Sequence, residues 1–259
     1  NLFSLKKQDM KYIRSKIQCI FQDPFSSLNP RMKIGQIIGH PLEIHNLASG
    51  NERKRRVTEL LEAVGLSAGQ ANRYPHQFSG GQKQRIAIAA ALAVNPQFVI
   101  ADEPVSSLDV SVQAQILNLF LDLRRDFGFS CLFISHDLGV VEHIADRIAV
   151  MYLGKIVEVA GTDDLLRSSK HPYAEALFSA FPVPDPSVQT KRIVLKGEIP
   201  SSIDPPSGCR FNTRCPMARR ELGCDKVEPM LQDLGGEHFV ACHLYPSHSG
   251  TPVSADTRP

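Results

Sequence analysis

The chain has 259 residues, 42% hydrophobic and 22% charged, enough to bury a full core and unlike a disordered polypeptide. Its formal net charge of +2 argues against a nucleic-acid binder driven by bulk charge, and no apolar run reaches the ~18–20 residues of a membrane span. Six cysteines with no secretory signal in the sequence point to a reducing compartment, where thiols or metal sites are the expectation over disulfides.

In chain order, residues 16–21 (KIQCIF) form a short apolar run that reads as a strand, with Gln22 just past it. Residues 34–46 and 52–64 read as helices, the second amphipathic through Val57, Leu60, Leu61 and Val64 and stopped at Gly65. Residues 78–85 (FSGGQKQR) open a third helix that runs to the Asn95-Pro96 stop. Glycine costs roughly 1 kcal/mol against alanine inside a helix, so Gly80 and Gly81 need a reason. One reason is that Ser79 caps the helix and the glycines only ease the turn into it. The other is that a helix N-terminus offers free N–H groups and a positive dipole end, which glycines let a phosphate approach closely.

A strand at 97–101 (QFVIA) follows, then a helix at about 111–126 with Val112, Ile116, Leu119, Phe120 and Leu123 on one face. Gly128 ends it, and another strand covers 130–135 (SCLFIS). Residues 147–152 and 155–159 read as a hairpin about Leu153-Gly154. Strands alternating with helices imply an α/β fold, a mostly parallel sheet flanked by helices. The strand-free block from about 24 to 94 reads as a helical lobe inserted into it. Residues 182–187 (PVPDPS) mark a linker, after which proline, glycine and cysteine rise and periodicity fades.

Chemistry concentrates at the strand ends. Asp102 and Glu103 arrive at the C-terminal edge of a strand, where open α/β sheets bind ligands. Two acids after a strand are commonly no more than a solvated loop. An aspartate there can hold Mg²⁺ beside nucleotide phosphates, and a neighbouring carboxylate can polarise the attacking water. His136, after the next strand, reads alone as a capping or core histidine, or as a hydrogen-bond donor to a phosphate oxygen as charge develops. Gln22 alone is a surface residue, or else a Mg²⁺ ligand or water-positioning group.

The order Gln22, SGGQ, Asp102-Glu103, SSLD and ISHD resembles the ATP-binding subunit of ABC transporters: Q-loop, signature motif, Walker B, D-loop and H-loop. The resemblance implies a P-loop NTPase-like nucleotide-binding domain that uses ATP and Mg²⁺. It implies that Ser79, Gly80, Gly81 and Gln82 cap the γ-phosphate of an ATP held mainly by the opposite subunit of a head-to-tail dimer. Asp102 matches the Mg²⁺-associated aspartate, Glu103 the general base, His136 the switch histidine, and Gln22 the glutamine sensing Mg²⁺ and water. Asp109 matches the aspartate that communicates across the dimer.

FQDPFSSLNPRMKIGQII, HPYAEALFSAFPVPDP and PPSGCRFNTRCPMA are similar to the dipeptide/oligopeptide importers, particularly their second ATPase subunit. That implies a second ATP-binding subunit and two transmembrane permease subunits as partners. A peptide-binding protein is implied indirectly, nucleic acid is not, and the location is peripheral, on the cytoplasmic face of the membrane. The expected division is a partial ATPase domain over 1–181, a peptide-transporter-type extension over 182–245, and a disordered tail over 246–259.

Two features depart from the pattern. No GxxxxGK[ST] phosphate loop (Walker A) occurs, and the only Gly-Lys pair, Gly154-Lys155, falls in the expected hairpin. The chain therefore reads as an N-terminally truncated fragment that binds ATP poorly by itself. Ala90 stands where the family usually has arginine, which removes a polar tie from the signature helix. DNA-maintenance relatives place very long coiled coils between glutamine and signature; only 56 residues lie between Gln22 and Ser79 here, without sustained heptads. A catalytically dead regulatory or metal-binding module is the remaining alternative.

Cys19 and Cys131 sit in apolar runs and read as buried free thiols. Cys209, Cys215, Cys224 and Cys242 cluster after the linker, separated by five, eight and seventeen residues. That spacing is not the paired CxxC of common zinc modules, and four free thiols are the plain alternative. A short aperiodic segment buries little core, and a metal would supply a cross-link. Four thiolates suit a [4Fe–4S] cluster or structural Zn²⁺, with His238 and His243 as substitute zinc ligands. The run Cys209-Arg210-Phe211-Asn212-Thr213-Arg214-Cys215-Pro216 resembles the C-terminal segment of peptide-importer ATPases, some of which carry an iron–sulfur cluster.

Overall fold

Strand β1 (Ile17–Ile20) pairs parallel with β2 (Phe98–Asp102), and β2 pairs parallel with β3 (Ser130–Ile134). Parallel neighbours require crossovers, and helices supply them. A computed structural model describes residues 4–23, 27–180 and 192–245, so the expected linker at 182–187 and the tail at 246–259 lie outside the described residues. The chain divides into two compact units, residues 1–140 and 141–259.

In the first unit, α1 (Lys7–Lys16) leads into β1. Helices α2 (Ile34–Ile44), α3 (Gly50–Ala63) and α4 (Gly80–Leu92) follow, and among the described residues between β1 and β2 there is no strand. Ile34, Ile38, Leu42, Val57, Leu60, Leu61 and Ile86 are buried among these helices. The apolar stripe that predicted α3 is the stripe that packs. Helix α5 (Val110–Phe127) joins β2 to β3 and ends at Gly128, whose φ of 68° is the left-handed cap expected of glycine. Phe120 of α5 meets Phe133 of β3 edge-on at 6.0 Å. The register puts Phe133 on the same sheet face as the buried Ala101 and Ile20, so the helices cover this face.

Helix α6 (Leu138–Ile144) starts where the Asp137 carboxylate accepts the Gly139 N–H at 2.9 Å. In the second unit, β4 (Arg147–Tyr152) and β5 (Lys155–Gly161) form the predicted hairpin. Leu153 and Gly154 both have positive φ, 44° and 77°, as a two-residue primed turn demands. Helices α7 (Thr162–Ser168) and α8 (Pro172–Ser179) follow. Two short strands, β6 (Gln232–Asp233) and β7 (Phe239–Val240), extend the hairpin into a four-stranded sheet of order β4-β5-β7-β6.

The cysteine-bearing segment reads in sequence as too aperiodic to bury a core of its own. It does not need one, because its Phe211 has no exposed surface and packs among Tyr152, Tyr173 and His171 in the core of the hairpin unit.

Candidate functional site

Three motif residues meet at the C-terminal edge of the parallel sheet. Gln22 follows β1, Glu103 follows β2, and His136 follows β3. The Gln22 amide Nε2 donates to Oε2 of Glu103 at 2.8 Å, and Nδ1 of His136 lies 3.1 Å from Oε1. The two oxygens of one carboxylate are thus gripped from the two neighbouring strand ends. Asp102, the last residue of β2, stands in register with Ile134. Its charge reaches Cys19, whose thiol is held above its ordinary range first by burial and then by that carboxylate. Burial pushes the Cys131 thiol up to about 11; both strand cysteines are free thiols as expected, but each is only half-buried because one face of the strand leaves it partly open.

Glu103 has a φ of 44°, a left-handed conformation that costs a non-glycine residue about 1–3 kcal/mol. Its N–H donates to the Ile134 carbonyl at 2.9 Å, and its carbonyl accepts the Ser106 hydroxyl at 3.1 Å and the Ser106 N–H at 3.3 Å. Nothing in the sequence signals this backbone.

Ser79 caps α4: its Oγ accepts the Gln82 N–H at 3.4 Å, while Oε1 of Gln82 accepts the Ser79 N–H at 3.1 Å. The capping explanation for Ser79 therefore holds locally. Gly81 has a packing reason as well, since a Cβ there would sit 2.5 Å from Cγ1 of Val112 on α5. Other arginines tie α4 to its surroundings: Arg85 donates to the Val64 carbonyl at 2.7 Å, and Arg56 reaches the Leu92 carbonyl at 3.5 Å and the Asn95 side chain.

Asp109 is the N-cap residue of α5, yet its side chain makes no capping bond. Gln113, one turn on, donates to the Leu108 carbonyl at 2.9 Å and holds the loop ahead of it. Among the described residues, no hydrogen bond or ion pair joins Ser79, Gln82 or Asp109 to the Gln22–Glu103–His136 group. Lys155 lies in the hairpin as expected, ion-paired with Glu228 at 2.5 Å.

In the second unit, Cys209, Cys215, Cys224 and Cys242 line one small cavity together with His171 and His243. A chain crossing assembles them: Cys209 N–H donates to the Cys224 carbonyl at 2.9 Å. A Cβ on Gly208, whose φ is 70°, would lie 2.5 Å from that same carbonyl oxygen. All four are free thiols. Burial raises Cys209 and Cys215 above the ordinary thiol range and pushes Cys242 up to about 11, with the neighbouring cysteines adding to each shift. Their donor type fits a thiolate-bound centre, but among the described residues no three His, Cys, Asp or Glu side chains form a ligand set. His238 points elsewhere, with its Nε2 2.6 Å from Glu158, and His243 Nε2 lies 2.8 Å from the Val227 carbonyl.

Comparison with known proteins adds to this geometry. Residues 3–106 match the family described as "ABC transporter", and residues 157–224 match "Oligopeptide/dipeptide transporter, C-terminal region". The chain is 53% identical to the putative oligopeptide transport ATP-binding protein YkfD of Bacillus subtilis, over 95% of this chain and 75% of that protein. It is 53% identical to the oligopeptide transport ATP-binding protein AppF of the same organism, over 91% of this chain and 71% of that one. Among solved structures it resembles the ATP-binding cassette MJ0796, a dimer bound to ADP and Pi, with a TM-score of 0.54 and 32% identity over 61% of this chain and 68% of that one. It also resembles cbiO1 of Clostridium perfringens, part of the ABC transporter complex cbiONQ, with a TM-score of 0.57 and 25% identity over 63% of this chain and 64% of that one.

Proposed function

This chain belongs to the peptide-import ATP-binding proteins of ABC transporters, and we propose that Gln22, Glu103 and His136 form its hydrolytic centre. The protein is an ATPase coupled to transport, working with ATP and Mg²⁺. The observation that carries the site assignment is the double grip on the Glu103 carboxylate by residues from the two flanking strand ends.

Bound Mg²⁺ supplies neutralisation of phosphate charge, and Asp102 and Gln22 are the residues we assign to it. Glu103 accepts the proton of the attacking water. The grip from Gln22 and His136 aims its carboxylate. His136, exposed on its other side, donates a hydrogen bond to the terminal phosphate as charge builds. Ser79, Gly80, Gly81 and Gln82 cap the γ-phosphate of an ATP held by a second ATP-binding subunit in a head-to-tail dimer. Their separation from the Glu103 group supports that reading, as does the uncommitted Asp109 carboxylate facing the same task across the dimer. The β- and γ-phosphates need a GxxxxGK[ST] loop that these 259 residues do not contain.

We assign residues 1–181 to the partial ATPase domain, with its helical lobe over about 24–94, and 182–245 to the peptide-transporter-type extension. Two permease subunits are its membrane partners at the cytoplasmic face. Among the described residues no helix is long and apolar enough to cross a membrane. The four cysteines that share one cavity are assigned to a [4Fe–4S] cluster, with Zn²⁺ the alternative; no step of hydrolysis passes through them.

The test is ATP-driven peptide uptake into vesicles carrying the permease pair and both ATP-binding subunits. Uptake that requires this subunit is the expected result. Uptake undiminished when the subunit is left out would overturn the assignment.

A further inference from the structure

We propose that Ser106 is a positioning residue for ATP hydrolysis, acting through the backbone of Glu103. The inference rests on the reading of Glu103 as the base.

A side chain leaves its backbone in a direction set by φ and ψ, and at Glu103 that backbone is left-handed. An unrestrained glutamate prefers the right-handed or extended regions, so something must hold it. On the N-terminal side the Glu103 N–H is fixed to the Ile134 carbonyl of β3 at 2.9 Å. On the C-terminal side its carbonyl accepts the Ser106 hydroxyl at 3.1 Å, with the weaker Ser106 N–H at 3.3 Å alongside. Anchored on both flanks, the Cα–Cβ bond points the carboxylate between Gln22 and His136.

The two anchors differ in kind. The Ile134 bond belongs to the sheet edge and any residue at 103 would make it. The hydroxyl bond depends on the identity of residue 106 and nothing else in the loop replaces it. Ser106 is exposed and, among the described residues, has no hydrogen bond to Gln22 or His136, so its effect on chemistry passes through Glu103. Without the hydroxyl, the 103–106 turn keeps only its longer backbone bond. Glu103 then samples conformations that carry its carboxylate away from the water-attack position.

Steady-state ATPase kinetics of the assembled transporter test the proposal. Ser106→Ala is expected to lower kcat about three- to tenfold, the reach of one neutral hydrogen bond, with KM for ATP within about twofold of the parent. Ser106→Thr, which keeps a hydroxyl at an exposed position, restores most of the rate. In a Glu103→Gln background, Ser106→Ala adds no further loss, because the group it aims has already been disarmed.

A parent-like kcat for Ser106→Ala beside a slow Glu103→Gln enzyme overturns this proposal alone. So does a loss carried by KM, a loss that persists in full in the Glu103→Gln background, or a Thr variant as slow as Ala. A Glu103→Gln enzyme with parental turnover removes the base assignment and this proposal with it.

Discussion

The imidazole Nε2 of His238 lies 2.6 Å from Oε1 of Glu158, a carboxylate with no exposed surface. The same carboxylate accepts the N–H of Lys170 and the N–H of His171, each at 2.7 Å. One buried glutamate thus ties β5, the entry to α8 and the β6–β7 hairpin together. Removing this buried acceptor leaves its donors unpaired, at a cost of about 1–3 kcal/mol each. Glu158→Leu is expected to lose that much in denaturant unfolding. A loss below about 1 kcal/mol, the range of an exposed ion pair, would show the tie to be dispensable.

His171 is 1% exposed, and burial lowers its pKa to about 4. Its Nδ1 accepts the Tyr173 N–H at 3.1 Å, capping α8 as a neutral ring. A base whose folded pKa lies below its unfolded value of 6.5 favours the fold when neutral. Stability from this site is therefore complete above pH 6.5 and lost as pH falls toward 4, by roughly 3 kcal/mol in all. His171→Asn keeps an N-cap acceptor but does not titrate. Unfolding midpoints of parent and variant followed from pH 7.5 to 4 should diverge below 6.5, with the parent falling faster; parallel curves would refute it.

Glu103→Gln preserves shape and loses the carboxylate proposed to take the water proton. Turnover in the assembled transporter should fall by about 10²–10⁴-fold, the usual weight of a general base. Nucleotide binding, measured with a fluorescent ATP analogue, should stay near parental. Turnover within a few-fold of the parent would take Glu103 out of that role.

Gly81→Ala places a methyl 2.5 Å from Cγ1 of Val112. Overpacking of this kind costs about 1–3 kcal/mol, against which the helix recovers about 1 kcal/mol of intrinsic propensity. The variant should be destabilised in the parent chain and neutral or stabilised once Val112→Ala opens the space. If both backgrounds respond alike, helix–helix packing is not why residue 81 is glycine.

Anaerobic purification of the subunit should yield a brown protein with iron and acid-labile sulfide, both lost on Cys215→Ser. Zinc without sulfide would assign the structural metal instead. A colourless, metal-free protein with four titratable thiols in the segment would end the cluster assignment.

What the sequence made legible follows from period and punctuation. The stripe through Val57, Leu60 and Leu61 and the stops at Gly65 and Gly128 mark helix ends to within a residue or two. Gln22, Glu103 and His136 were visible as polar residues after apolar runs, and they do converge. Other elements carry no such signal. Helix α1 (KQDMKYIRSK) has no clear apolar stripe, and β6 and β7 are two residues each, formed only because β5 offers an edge. Nothing in the run KIVEVAG marks its glutamate as a junction. Glu158 is buried because its partners come from residues 170, 171 and 238, which no local pattern reports. The left-handed backbone of Glu103 is equally silent, being imposed by Ile134 and the Ser106 turn.

The pairing of β5 with β7 also sets a timetable for synthesis. Glu158 and His238 stand 80 residues apart in sequence, and Val240 is the strand partner of Glu158 itself. At a ribosomal pace of about 5–20 residues per second, roughly 4–16 seconds separate the two. Through that interval the outer edge of β5 has unpaired amides and carbonyls, a template open to any passing strand, although the Lys170 and His171 N–H partners of Glu158 arrive within 13 residues. Charged side chains blunt such edges, and β7 later covers this one. A residue that reads as a cost in the finished sheet thus guards the same strand before the sheet exists.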